Sequence, residues 1–196
     1  DSEHSRFCLS VVHWNATRTR LVSCDVNGRI IVWKAEIRGD LTELKQYDTG
    51  GSAVRQALFC PVLIIRGEKT GESLMARTIV FVGTERGTLI VADDLGESRQ
   101  VQNLGESVEH LLFYEQERRL VVLTRGAILA QLRVSEDGKL IPVMTMKLSV
   151  AGNGSIRQVC WAGPGLLAAA TGESMIRFFN LNSDDSYVVP LASSGL

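Results

Sequence analysis

This 196-residue sequence predicts an all-β fold, a β-propeller of about four blades. Three observations carry that reading. Short apolar runs recur in threes, each trio followed by a more polar fourth segment. A large aromatic closes the first run of every copy: Trp14, Phe59, Phe113 and Trp161. No stretch shows sustained helical periodicity, and only Glu68 to Arg77 has room for a helical turn. Four strands per repeat with short connections describe a propeller blade, whereas a stacked pair of sheets leaves the recurring aromatic unexplained.

The first copy sets the pattern. Strands are predicted at about 8–14, 20–25 and 29–34. In the first, Ser10, Val12 and Trp14 alternate with Val11 and His13, the period of a strand with one buried face. Asn15 to Thr19 is a polar turn. Asn27-Gly28 between two apolar runs is a hairpin turn, and Arg29-Ile-Ile-Val-Trp33 reads as a strand covered on both faces. The second copy offers Ala53–Cys60, Thr78–Val82 and Gly87–Val91. The third offers Val108–Tyr114, Arg119–Thr124 and Ala127–Leu132, and the fourth Ile156–Trp161, Leu166–Thr171 and Met175–Phe179. Outer strands fit Leu41–Gln46, Ser98–Gln102, Leu140–Leu148 and Asp185–Val189. The spacing of first strands is near the ~40–50 residues of propeller blades, and it divides the chain into blades at about 1–48, 49–103, 104–150 and 151–196.

Composition narrows the function. Hydrophobic residues make up 45% of the chain, enough for a packed core, and the net charge of −1 exerts no bulk pull toward nucleic acid or an anionic membrane. No apolar run approaches the ~18 residues of a membrane span, and no signal-peptide pattern opens the chain. The chain begins at Asp1, not Met, which suggests a piece of something longer. Cys8, Cys24, Cys60 and Cys160 lie far apart within apolar strand patterns, so buried free thiols in a reducing compartment are expected. Paired cysteines with nearby histidines, the signature of zinc, are missing, and no metal or cofactor is expected.

The repeat resembles the WD family in degenerate form. In that family a turn Asp lies six residues before a third-strand Trp, a Ser or Thr lies two before that Asp, and a His precedes the first strand. Here Trp33 is in place, Asn27 takes the turn-Asp position, Asp25 the Ser/Thr position, and His4 the His position. The second copy has Thr84, Arg86 and Ala92, and the fourth Thr171, Glu173 and Phe179. The third, with Leu123, Arg125 and Gln131, is read as having lost the network. Trp14, Asn27, Trp33, Phe113, Trp161 and Phe179 are therefore the expected blade-building residues. Four copies with apolar faces at both ends suggest a WD40-like segment of a larger, seven-bladed ring.

The order of the degenerate copies adds a sharper resemblance. It rests on Val11-Val-His-Trp14, Leu21-Val-Ser-Cys-Asp25 and Val32-Trp33, then Leu111-Leu-Phe-Tyr114 and Arg119-Leu-Val-Val-Leu-Thr124. Val143-Met-Thr-Met-Lys-Leu148 and Ala170 to Leu181 complete it. Together these are similar to the amino-terminal propeller of the one-hundred-and-forty-kilodalton subunits of intraflagellar transport complex A. Pro61 to Arg77 departs from the pattern, where the family leads one to expect a longer insertion. The resemblance implies a non-enzymatic scaffold in the cytoplasm and cilium, at the ciliary base and axoneme. It implies partners among the other complex A subunits, a tubby-like adaptor and membrane cargo, with roles in retrograde transport and in ciliary entry of membrane receptors. Another coat or vesicle-trafficking assembly is the alternative, and a propeller enzyme a more distant one.

Enzyme signatures are weak. His13 and His110 sit in strand patterns, and His13, Asp25 and Ser23 do not have the form of a triad. Gly83 to Gly87 and Gly163 to Gly165 precede no helix and read as turns, not phosphate loops. Asn15-Ala-Thr17 and Asn153-Gly-Ser155 match glycosylation acceptors. Because turns alternate between rims, the first-to-second-strand turns share one side of the ring. That rim gathers Arg18, Arg20, Arg66, Lys69, Arg118 and Arg119, the expected contact for a partner or membrane. The Pro61–Arg77 excursion is a second candidate, since long excursions in compact domains tend to be functional or disordered.

Overall fold

A computed structural model describes residues 8–61, 64–66, 75–148, 156–183 and 185–191. Its first sheet runs β1 (Leu9–Trp14), β2 (Arg20–Asp25), β3 (Arg29–Ala35) and β4 (Leu41–Asp48). Next comes β5 (Val54–Phe59), followed by a small hairpin of β6 (Ile64–Arg66) and β7 (Met75–Arg77). The second sheet is completed by β8 (Ile79–Thr84), β9 (Thr88–Asp93) and β10 (Ser98–Asn103). The third holds β11 (Val108–Tyr114), β12 (Arg119–Thr124), β13 (Ile128–Val134) and β14 (Leu140–Lys147). The fourth holds β15 (Gln158–Gly163), β16 (Leu166–Ala170), β17 (Met175–Asn180) and β18 (Ser186–Pro190). Every pairing is antiparallel. Among the described residues the one helical element is a 3-10 turn at Glu115–Glu117, and none is long and apolar enough to cross a membrane. The fold is all-β and propeller-like.

Strand alternation explains how the sheets stack. Val80 and Val82 of β8 point to the first sheet, where they meet Val22, Cys24, Ile30 and Val32. Their neighbours Ile79 and Phe81 point the other way, against Leu120, Val122, Ala130 and Leu132 of the third sheet. β12 repeats the device, turning Val121 and Leu123 toward Leu167, Ala169 and Phe179 of the fourth. A strand sandwiched on both faces needs a continuous apolar run, and β8 is buried at all six positions. β5 lies against both β1 and β11, so the first strands form the inner side of the arc.

Turn chemistry fixes each blade, and here the residues differ from the WD reading. Trp33 donates its indole N–H to Ser23 Oγ at 2.8 Å. Asp25 Oδ1 accepts the backbone N–H groups of Asn27 and Arg29, at 2.9 and 3.0 Å. The two roles therefore fall on Ser23 and Asp25, two residues earlier than Asp25 and Asn27. Asn27 is an exposed turn residue. Four-residue spacing favours this register, because an acceptor ending one strand reaches the first N–H of the next. Thr84 accepts from Thr88, and Thr124 from Ile128, at 3.0 and 3.1 Å. The third blade thus keeps a turn bond through Thr124. Gly28 follows at φ +92, where an added Cβ would lie 1.9 Å from Thr49 Oγ1 and 2.6 Å from the Ser52 carbonyl. Only glycine suits both the left-handed backbone and that close approach.

Three expectations are corrected. Where a helical turn had room, Ile64–Arg66 pairs with Met75–Arg77 as a hairpin; residues 67–74 between them lie outside the described set. Cys24 and Cys60 are buried free thiols, but Cys8 and Cys160 are exposed. Cys160 shares a cross-strand row with Ala168 and Phe178 on the outward face of the fourth sheet, where no described strand packs against it. Trp14 is likewise 43% exposed, because it lies on the face of the first sheet away from the second.

Candidate interaction site

The aromatics that close the first strands converge. β1, β5, β11 and β15 bring the same ends to one rim, and there His13, Trp14, Phe59, Leu112, Phe113 and Trp161 line a groove of about 400 Å³. Leu58, Pro61 and Leu111 extend its apolar floor, and Ala16 and Glu115 stand on the turns beside it. The inner edges are held by ring contacts. His13 lies 6.1 Å from Phe59, Tyr114 lies 5.2 Å from Trp161, and Phe113 stacks 6.1 Å from the buried Phe81. Burial lowers the pKa of His13, which keeps the imidazole neutral at pH 7. Its Nδ1 is buried and has no hydrogen-bond partner.

The expected cationic rim is largely engaged in holding the fold. Arg18 and Arg118 occupy matching left-handed turn positions, φ 55 and 51. Arg18 is exposed. Arg118 turns back and donates to the carbonyls of Val134 and Ser135, at 3.2 Å each. Arg20 reaches the second blade, 2.9 Å from Asp94 Oδ2. Arg119 bonds Glu117 at 2.6 Å and Gln131 at 3.0 Å. Arg66 lies in β6, with its side chain outside the described set, and Lys69 lies outside it altogether. Asn15 is engaged as well, accepting the N–H groups of Thr19 and Arg20. Of the remaining blade residues, Phe179 is 8% exposed within the third core, and Phe113 and Trp161 are packed against cores from the edge.

A second groove of about 550 Å³ lies between β4, the turn after β9 and the turn after β13. Its charges answer one another. Arg77 is clamped by Asp93 and Glu97, and Arg99 donates to the Gly138 carbonyl. Tyr47 donates to the Asp93 carbonyl at 2.7 Å, and burial, with the Asp93 charge, pushes its pKa up to about 12. Asp93 also accepts three backbone N–H groups of its own turn, from Leu95, Gly96 and Glu97. These contacts tie three blades together. Among the described residues no three His, Cys, Asp or Glu side chains are grouped as a metal site.

The polar residues missed from sequence were Ser23, Asp94 and Asp93. A signal existed for the related turn acceptors. Asp25, Thr84 and Thr124 each end a second strand, four residues before an N–H they accept, while Thr171, one place past β16, donates to Glu173 instead.

Comparison with known proteins separates fold from family. A chain in the structure titled "Crystal Structure of Mitotic Checkpoint Complex" superposes with a TM-score of 0.65 at 16% identity, over 96% of this chain and 53% of that one. The present chain thus spans about half the length of that match. Since 1066 solved chains match it, such likeness speaks for the fold alone. The family described as IFT140 first beta-propeller matches residues 65–195, well over half of the sequence. The chain belongs to that family. In this IFT140-type propeller the matched range opens within β6 and takes in the third and fourth sheets and most of the second. The first sheet lies outside it, joined to the rest through the Val22–Val80 core and the Arg20–Asp94 pair.

Proposed function

We propose that this chain is a non-enzymatic scaffold propeller of the intraflagellar transport A complex, acting in retrograde ciliary transport and in ciliary entry of membrane receptors. The single supporting observation is the family match over residues 65–195. The chemistry of the frame agrees with it: its buried polar side chains cap turns, as Asp25, Thr84, Thr124 and Asp93 do, and bridge blades, as Asp94 does to Arg20. In this reading the protein works at the ciliary base and along the axoneme, with other complex A subunits, a tubby-like adaptor and membrane cargo as partners. The four sheets are blades of a seven-bladed ring, with boundaries at about 1–48, 49–103, 104–150 and 151–196. Among the described rim residues Arg18 is the cation presented to a neighbour, while Arg20, Arg118 and Arg119 brace the blades.

The test is purification of the tagged full-length protein from ciliated cells. Recovery of the complex A subunits in near-equal amounts is the expected result. Other coat or trafficking proteins in their place would overturn the ciliary assignment. Arg18→Glu should weaken recovery of one neighbour, and unchanged assembly in that variant would remove the rim contact.

A further inference from the structure

Among the described residues that line the aromatic groove, one carries a formal charge, and that charge is negative. Trp14, Phe59, Phe113 and Trp161 form its walls, and Glu115 stands exposed at its edge on the turn after β11. His13 contributes no positive charge at neutral pH, since burial disfavours its protonated form. The nearby Arg118 and Arg119 point to the third blade's own carbonyls and to Glu117. Aromatic faces are the negative pole of the ring quadrupole and attract a cation within about 6 Å of the centroid. A carboxylate guest would meet repulsion from both Glu115 and the rings. An aliphatic stem ending in a positive charge meets apolar floor and negative rim together.

We propose that this groove binds a lysine or arginine side chain presented by an extended segment of a partner protein. The volume of about 400 Å³ exceeds one side chain and leaves room for the residues flanking it. The inference does not depend on which complex the propeller serves.

The three tryptophans supply the measurement. Trp14 and Trp161 line the groove, whereas the Trp33 indole N–H is held by Ser23 and serves as an internal reference. The full chain, labelled with nitrogen-15, is titrated with a short glycine peptide carrying one central lysine, then with the same peptide Nε-acetylated. The indole signals of Trp14 and Trp161 should shift while that of Trp33 stays. Acetylation should weaken the effect about tenfold, and Glu115→Gln, a change at an exposed turn, about fivefold. Indoles that do not move, equal binding of the acetylated peptide, or an unaltered titration in Glu115→Gln would each overturn the proposal.

Discussion

The second and fourth sheets are written in similar residues but live in different surroundings. β8 is buried at every position, because Val80 and Val82 are covered by one neighbour and Ile79 and Phe81 by another. β16, Leu-Leu-Ala-Ala-Ala, reads as an equally continuous apolar run, yet only Leu167 and Ala169 are buried. Its other face continues through Cys160, Phe178 and Tyr187, with Phe178 and Tyr187 stacked at 4.9 Å and Tyr187 49% exposed. An apolar run therefore states what a strand can bury, while the neighbours decide what it does bury.

The largest expected effect breaks that comparison at its centre. Phe81→Ala empties a fully buried site between the second and third blades and removes the ring against Phe113. It should cost about 3–5 kcal/mol in urea unfolding of the full chain. Phe178→Ala should cost only about 1 kcal/mol, the value of a partly exposed stacked pair. Equal losses would mean that the outward face of the fourth sheet is covered in solution. A second contrast concerns turns. Gly28→Ala and Gly39→Ala both place a side chain at φ near +90, a backbone cost of about 1–2 kcal/mol each. At Gly39 nothing lies within 4 Å, but at Gly28 the methyl meets Thr49 and Ser52, so a further ~1–3 kcal/mol is expected there. Matching midpoints for the two variants would show that the seam between the first blade and its linker can give way.

Much of the fold was legible because period-2 alternation and turn residues are local signals. The four-strand repeats, the Asn27-Gly28 hairpin and the aromatic closing each first strand could all be read from neighbours in sequence. Reading went astray where a role depends on geometry across strands. Asp25 and Ser23 took the turn and Trp-binding roles because β2 pairs with β3 in a register that sets Ser23 opposite Ile31 and near Trp33. Spacing alone had placed those roles two residues later. The rim arginines show the same limit. Their clustering was visible, but the partners of Arg20 and Arg118 lie 74 and 16–17 residues away, at Asp94, Val134 and Ser135. The groove itself was half visible, in Trp14, Phe59, Phe113 and Trp161 and in the rim that their strands share, while the contacts of His13 with Phe59 and of Tyr114 with Trp161 depend on packing between blades.

A smaller effect should distinguish the two inner seams by pH. His13 packs on Phe59 across the first seam, and burial lowers its folded pKa below the ordinary value near 6.5. Between those two values the unfolded chain binds more protons than the folded one. Stability from this group is therefore full above about pH 6.5 and declines as pH falls toward the folded pKa. The wild-type urea midpoint should drop more than that of His13→Leu between pH 7.5 and 5.5. Parallel pH profiles would remove His13 as the cause.

The smallest effect belongs to the turn of the third blade, where Ala127 replaces the glycine found at Gly28 and Gly87. Its φ of 62 is left-handed, and its side chain is 3% exposed within the third core. Ala127→Gly should relieve about 1 kcal/mol or slightly more of backbone strain. It also strips a buried methyl worth about 0.8 kcal/mol and adds freedom to the unfolded chain. The terms nearly cancel, so a midpoint within about 0.5 kcal/mol of wild type is expected. A gain well beyond that would show the methyl to be poorly packed. A clear loss would show that the third blade depends on Ala127 to hold the fourth blade in place.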